Sequence, residues 1–209
     1  MSSKNAQFEL MQLQRKSLSP DPFKQFDVWY TEAVKSRIKH ADAFVLSTVA
    51  GSGVPSSRVL LYKGRNDKGF TFYTNMNSRK GQELKNNNRA SMCFWWNELE
   101  RQVRIEGAVE SLSSKENDVY FQTRPRGSQI GAWASDQSNV IENREDLEER
   151  YKYYEDKFAG MEVPRPDYWN GYIVVAEEFE FWQGRKNRLH DRFRYRLKNY
   201  NWIIERMAP

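Results

Sequence analysis

A chain of 209 residues with 39% hydrophobic and 14% aromatic content is long enough for one domain with a substantial core, which excludes a disordered protein. The formal charge of +5 favours anionic partners, yet the 28 acidic residues are spread among the 33 basic ones without a Lys/Arg-rich tail, which argues against a nucleic-acid-binding arm. One cysteine and two histidines exclude a disulfide framework and a zinc site of usual spacing, so no metal is expected.

Cys93, within Ala90-Ser91-Met92-Cys93-Phe94-Trp95-Trp96, reads as a core thiol on a buried strand. No apolar run reaches the length of a membrane span, and MSSKNAQFEL lacks a signal-peptide core. The expected setting is the cytoplasm, with neither membrane nor nucleic acid as partner.

Residues 1–19 are polar and read as a mobile arm, with residues 20–209 forming a single domain. Asp21 is placed to cap a helix with Pro22 at its first position, and Phe23, Phe26, Tyr30, Ala33 and Val34 give that helix one apolar face to about Lys39. The period then changes to that of strands: Ala43–Val49, Ser56–Lys63 and Phe70–Thr74, separated by Gly51-Ser52-Gly53 and Asn66-Asp67-Lys68-Gly69. Ser78 caps a short helix through Leu84, and a strand pair follows at Arg89–Trp96 and Arg101–Ser111. In the second of these, Val103, Ile105 and Val109 alternate with Gln102, Arg104, Glu106 and Glu110, predicting one buried face.

Ser113-Ser114-Lys115-Glu116 resembles a capping box opening a helix to about Thr123, which Arg124-Pro125-Arg126-Gly127-Ser128 interrupts. Glu142–Phe158 is a charged amphipathic helix, and strands follow near Gly171–Ala176, Phe179–Gln183, Arg192–Leu197 and Trp202–Arg206. About eight strands without regular βαβ alternation predict a mainly-β antiparallel barrel with peripheral helices. No GxGxxG loop follows a strand, which argues against a Rossmann fold.

Four clusters carry candidate chemistry. Arg58 and Lys63 lie five apart on one predicted strand, so they face opposite sides and suit two different anions, or a solvated edge. Tyr73-Thr74-Asn75-Met76-Asn77-Ser78-Arg79-Lys80 runs a strand into a helix N-terminus bearing a hydroxyl and two cations, a plausible phosphate cradle. Tyr120, Arg124, Arg126 and Ser128 gather a phenol, two guanidiniums and a hydroxyl around one turn, either a second phosphate site or a salt cluster. Trp182 offers a planar face, and Arg188, His190 and Arg192 alternate along one side if that segment is extended.

FEFWQ followed after four residues by RLHDR resembles the C-terminal signature of the pyridoxine/pyridoxamine 5′-phosphate oxidases. RVLLYK, FYTNMNSRKGQEL, ERQVRIEG, YFQTRPRGSQIGAWAS and the closing RMAP are similar to that family in the same order and spacing, over about Asp21 to Pro209. The resemblance implies an FMN-binding split β-barrel, homodimeric, with two sites at the subunit interface. It implies FMN held by Arg58, Tyr73, Thr74, Arg79, Lys80 and Gln102, beside the Ser78 cap, and completed by Gln137, Ser138, Trp182 and Arg192, in part from the other subunit. Lys63, Tyr120, Arg124 and Ser128 are implied at the substrate phosphate, with Arg188 and His190 at the pyridine end as catalytic candidates.

The implied reaction oxidises pyridoxine or pyridoxamine 5′-phosphate to pyridoxal 5′-phosphate by hydride transfer to the flavin, with O2 as acceptor. The N-terminus departs from the family pattern: residues 1–19 hold only Arg15 as an arginine and no tyrosine, so no lid residue is assigned. A split-barrel flavoprotein with another substrate and a basic nucleic-acid-binding module are the rival readings; neither an RNP motif nor a zinc finger supports the latter.

Overall fold

The computed structural model describes residues 12–209. Helix α1 (Pro22–Lys35) starts as its sequence dictates: Asp21 Oδ1 accepts from the Phe23 N–H at 2.9 Å and Pro22 occupies the first turn. It ends earlier than the predicted Lys39, because Arg37 and His40 take left-handed backbone conformations that no α-helix continues through.

Eight strands form one antiparallel sheet: β1 (Ala43–Val49), β2 (Pro55–Leu61), β3 (Gly69–Asn75), β4 (Arg89–Trp96), β5 (Arg101–Ser111), β6 (Trp169–Gln183), β7 (Asp191–Lys198) and β8 (Asn201–Met207). The order is β2-β1-β4-β5-β6-β7-β8, with β3 on β6. The two strands predicted near Gly171–Ala176 and Phe179–Gln183 are one continuous strand. Its first half pairs with β3, its second with β7, and β5 runs along its other edge. Glu177-Glu178 reads as a break in sequence, but Glu177 forms a bulge in β6 opposite Glu106/Gly107 of β5, and the ladder continues past it. Gly107 is obligatory there, since a Cβ would lie 1.8 Å from the Val175 carbonyl oxygen. This fork in β6 splits the barrel.

Inside, Phe26 of α1 is fully buried and meets the rings of Phe70 and Phe94 with centroids 4.7 and 5.1 Å away. Such pairs each contribute about 0.5–1.5 kcal/mol beyond the area they bury. The alternation expected in β5 holds: Val103, Ile105 and Val109 face the core while Gln102, Arg104 and Glu106 face outward. Cys93, expected in the core, is instead half-buried on the outer face, because Met92 and Phe94 take the inward positions of β4.

Four further helices lie around the sheet: α2 (Arg79–Asn86), α3 (Ser114–Gln122), α4 (Arg126–Ala134) and α5 (Arg144–Lys157). The sequence predicts an interruption where helix α4 lies. Its Pro125 and Gly127 signal a turn, but Pro precedes the first helical turn without harm, and Gln129, Ile130 and Ala134 supply a buried stripe. The arm expected over residues 1–19 divides: residues 1–11 lie outside the described residues, whereas residues 12–19 pack on the barrel. Leu13 and Leu18 are buried, the Leu13 N–H donates to Asp191 Oδ2 at 3.2 Å, and the Tyr195 hydroxyl donates to the Ser19 carbonyl at 2.7 Å.

Candidate active site

Strand β3 delivers Tyr73, Thr74 and Asn75 to the turn that opens α2. Ser78 caps that helix, accepting from the Gly81 N–H at 3.4 Å while its hydroxyl donates to the Asn75 carbonyl at 2.6 Å. Lys80, one residue into the helix, is buried, and its ammonium donates to Gln137 Oε1 at 2.9 Å, Thr74 Oγ1 at 3.1 Å and Ser78 Oγ at 3.2 Å. All three acceptors are neutral. Burial, reinforced by Arg58 and opposed by Glu83, pushes the Lys80 ammonium down to about 8. Gln137 and Ser138 arrive from the loop after α4, where Ser138 Oγ accepts from the Arg79 N–H at 3.2 Å.

Arg58, on the inward face of β2, donates through Nη1 to Thr48 Oγ1 at 2.5 Å and meets Glu83 Oε2 through Nη2 at 3.3 Å. Arg79 Nε donates to Glu83 Oε1 at 2.9 Å. Desolvation raises the Glu83 carboxyl, but hydrogen bonds from Ser56, Thr48 and Arg79 and the charge of Arg58 outweigh it and hold the group at about 2. Three cations, Arg58, Arg79 and Lys80, thus stand around one carboxylate, a surplus of two positive charges that a phosphate dianion would balance.

Next to this pole a cleft of about 350 Å³ is lined by Tyr73, Thr74, Arg124, Ser128, Gln137 and Trp169, among others. Tyr73 stacks on Tyr120 with centroids 3.9 Å apart and on Trp169 at 5.0 Å, all three rings nearly parallel. The Arg124 guanidinium lies 4.8 Å over the Trp169 ring. Its Nη1 is buried and lacks a hydrogen-bond partner, and burial lowers its pKa. The structure brings Tyr73, Thr74, Arg124, Ser128 and Gln137 around one cavity.

Lys63 is not with them. It follows the end of β2, its N–H bonded to the Thr71 carbonyl at 3.1 Å and its ammonium 3.7 Å from Asp42. The strand alternation that was to set it opposite Arg58 ends at Leu61, since the chain turns at Gly64 with φ +103°. Both side chains of the Lys63–Asp42 pair are about one-third exposed, so the contact contributes no more than about 1 kcal/mol.

Gln102, Trp182 and Arg192 are neighbours in register on the outer face of β5, β6 and β7. The expected extended run of Arg188, His190 and Arg192 is not present: Lys186–Arg188 forms a 3₁₀ turn with Asn187 and Arg188 in left-handed conformations. Arg188 is exposed there. His190 stacks near Trp182 with centroids 4.5 Å apart, and its Nδ1 accepts from the Arg185 N–H at 3.1 Å. Arg192 is fully engaged, donating to both Glu180 oxygens at 3.0 and 2.9 Å and to the Ala208 carbonyl at 3.0 Å. Asn170, which pairs with Thr74, and Trp182 lie at opposite ends of β6. They are twelve positions apart along the strand, roughly 40 Å if straight. One chain therefore carries two halves of the expected site, set apart on its own surface.

Glu83 and Trp169 were missed. A Glu four residues after Arg79 looks like a surface helix pair, and nothing in the sequence says that Thr48 and Ser56 bury it.

The split antiparallel barrel carries a cation-lined cleft beside the end of β3, a combination that defines a class of split-barrel protein with a candidate anion site. Residues 30–157 match the family described as pyridoxamine 5′-phosphate oxidase, and residues 169–209 match a pyridoxine 5′-phosphate oxidase C-terminal dimerisation region. The chain belongs to the pyridoxamine 5′-phosphate oxidase family of oxidoreductases. A relative from Gloeothece citriformis named pyridoxine/pyridoxamine 5′-phosphate oxidase is 47% identical, covering 97% of this chain and 95% of its own. One of the same name from Cupriavidus taiwanensis is 50% identical over 94% and 93%. Among solved structures, PhzG from Burkholderia lata 383, in complex with tetrahydrophenazine-1-carboxylic acid, superposes with a TM-score of 0.89 at 30% identity, covering 95% of this chain and 98% of that one. A pyridoxamine 5′-phosphate oxidase-related FMN-binding protein from Nostoc punctiforme shares the fold at TM-score 0.72 and 16% identity, covering 92% and 100%.

Proposed function

We propose that this protein oxidises pyridoxine 5′-phosphate and pyridoxamine 5′-phosphate to pyridoxal 5′-phosphate, using FMN. The observation that carries this reading is the buried Nη1 of Arg124, which has no hydrogen-bond partner, on a residue lining a cleft that Thr74 and Gln137, both bonded to Lys80, also line. A buried guanidinium nitrogen without a partner is costly, and an anion from outside the chain relieves it. Two such poles suit two phosphates, one on the flavin and one on the substrate.

Arg58, Arg79 and Lys80, with the capped N-terminus of α2, fit the flavin phosphate in charge and donor type. Arg124, Ser128 and Tyr120 hold the substrate phosphate, and Lys63 joins them by leaving Asp42. FMN, when bound, would supply the hydride acceptor for the C4′ carbon and a route for the electron pair to O2, giving hydrogen peroxide. Arg188 and His190 orient the pyridine end and assist removal of the proton that leaves the substrate's C4′ substituent; the amine substrate then yields ammonia by imine hydrolysis.

Because Trp182 lies at the other end of β6 from the strand's pairing with Thr74, with Gln102 and Arg192 in register beside it and His190 stacked near it, the complete site takes these four from a second copy. A homodimer with two shared sites follows, in keeping with the dimerisation region matched at residues 169–209. No helix among the described residues is long and apolar enough to cross a membrane.

The visible spectrum of the purified protein, followed by anaerobic addition of pyridoxamine 5′-phosphate, tests the reading. The flavin band is expected to bleach and to return on admitting air. A yellow protein that stays yellow keeps the barrel but assigns another substrate, and a colourless protein that takes up no FMN overturns the reading.

A further inference from the structure

We propose that Glu83 is a positioning residue of this site: its carboxylate holds Arg58 and Arg79 in the orientation from which both reach one phosphate. The inference rests on the FMN reading above and assigns how the cations at that phosphate are held.

Glu83 projects from α2 and is only 5% exposed. Its Oε2 accepts from Thr48 Oγ1 at 2.5 Å, Ser56 Oγ at 2.6 Å and Arg58 Nη2 at 3.3 Å, and its Oε1 accepts from Arg79 Nε at 2.9 Å. Thr48 belongs to β1 and Ser56 to β2, so the carboxylate ties two strands and a helix to the same two guanidiniums. The two hydroxyls also accept from Arg58, through Nη1 for Thr48 and Nη2 for Ser56, which closes the network around that side chain.

Arg79 is otherwise exposed, with 59% of its side chain open to solvent. A long exposed arginine samples many rotamers, and fixing one of them in advance strengthens each hydrogen bond it makes to a ligand. Glu83 fixes it through Nε. A simple structural brace would be served as well by glutamine, which has the same shape. This site is not. Four donors converge on the two oxygens, and glutamine replaces one oxygen with a further donor. The hydroxyls can rotate to accept, but a guanidinium cannot, so one arginine must turn away.

The test compares FMN with riboflavin, which lacks the phosphate, by fluorescence titration of flavin-depleted wild-type and Glu83→Gln protein. Expected is a rise in the FMN Kd of about tenfold to hundredfold, the loss of one charge-assisted bond, with the riboflavin Kd changed by less than about twofold. Glu83→Asp, which keeps the charge at shorter reach, should fall between the two. A brace alone would weaken both flavins equally. A Glu83→Gln protein that keeps the wild-type preference for FMN, or binds FMN more tightly, overturns the role of Glu83 and leaves the FMN reading standing. A wild type without any preference for FMN overturns both. If Glu83→Gln does not fold, Thr48→Val takes its place, removing one donor from the carboxylate and one acceptor from Arg58; a loss of preference of about threefold to tenfold is expected, and none would overturn the proposal.

Discussion

Two regions of this molecule are rich in arginine and lysine, and their cations differ in what they face. On the outer sheet, Glu205 accepts from Arg194 at 2.8 Å and Arg196 at 3.1 Å, and Glu180 accepts from Arg192 at 2.9 Å and Arg104 at 3.3 Å. Side-chain hydrogen bonds to those carboxylates raise Arg192 and Arg194 above the ordinary arginine range. In the cleft the sign reverses: burial lowers Arg58, Lys80 and Arg124. Lys80 donates to neutral oxygens and one buried Arg124 nitrogen has no hydrogen-bond partner. Counting cations would rank the outer sheet as the anion site, whereas asking which cations are left under-compensated selects the cleft.

The sharpest break in that contrast is Arg124→Ala. Removing the unpartnered guanidinium should lower kcat/KM for pyridoxamine 5′-phosphate by about a hundredfold or more, the scale of one or two charge-assisted bonds. FMN content, read from the visible spectrum, should be unchanged. Equal loss of flavin would show that the two poles are one.

A smaller effect is expected from pH on the Lys80 pole. With the ammonium at about 8 in the ligand-free protein, FMN affinity should fall about tenfold between pH 7 and pH 9, as the cation is lost. The same depressed value makes the unfolded chain bind more protons between about 8 and the ordinary 10.5, so this group's contribution to stability rises with pH across that window. Lys80→Met should therefore flatten the pH dependence of FMN binding while leaving the flavin-free protein melting no lower than wild type. A lower melting temperature would place Lys80 among the structural cations instead.

Glu83 runs the other way. Its carboxyl, held at about 2 against an ordinary 4.5, contributes stability that is present above 4.5 and is lost as pH falls toward about 2. Urea midpoints measured down this range should drop more steeply in wild type than in Glu83→Gln.

The smallest effect belongs to a paired surface cation. Arg89 meets both oxygens of Glu177, at 2.6 and 2.8 Å, with both side chains about half exposed. Arg89→Ala should change unfolding free energy by under about 1 kcal/mol and leave turnover untouched.

Sequence carried the strands well where alternation was clean, as in β5, and carried the helix start at which Ser78, Arg79 and Lys80 stand together. It failed where a local signal was overridden by a distant partner. Pro125 and Gly127 read as a stop, though packing of Ile130 and Ala134 makes the segment a helix. Gly171–Ala176 and Phe179–Gln183 read as two strands, though a bulge at Glu177 carries β6 through as one. Arg188, His190 and Arg192 alternate on paper, though left-handed residues at Asn187 and Arg188 coil the segment. The burial of Glu83 depends on hydroxyls about 30 positions away and leaves no trace in its own neighbourhood.

The central claim is that under-compensated cations in the cleft recognise phosphate, and the most direct test sets pyridoxamine 5′-phosphate against pyridoxamine in anaerobic reduction of the flavin. The account predicts efficient bleaching by the phosphate ester and at least about a hundredfold lower efficiency with the free amine, a gap that Arg124→Ala closes. Equal bleaching by both amines, or a gap that survives in Arg124→Ala, would contradict it.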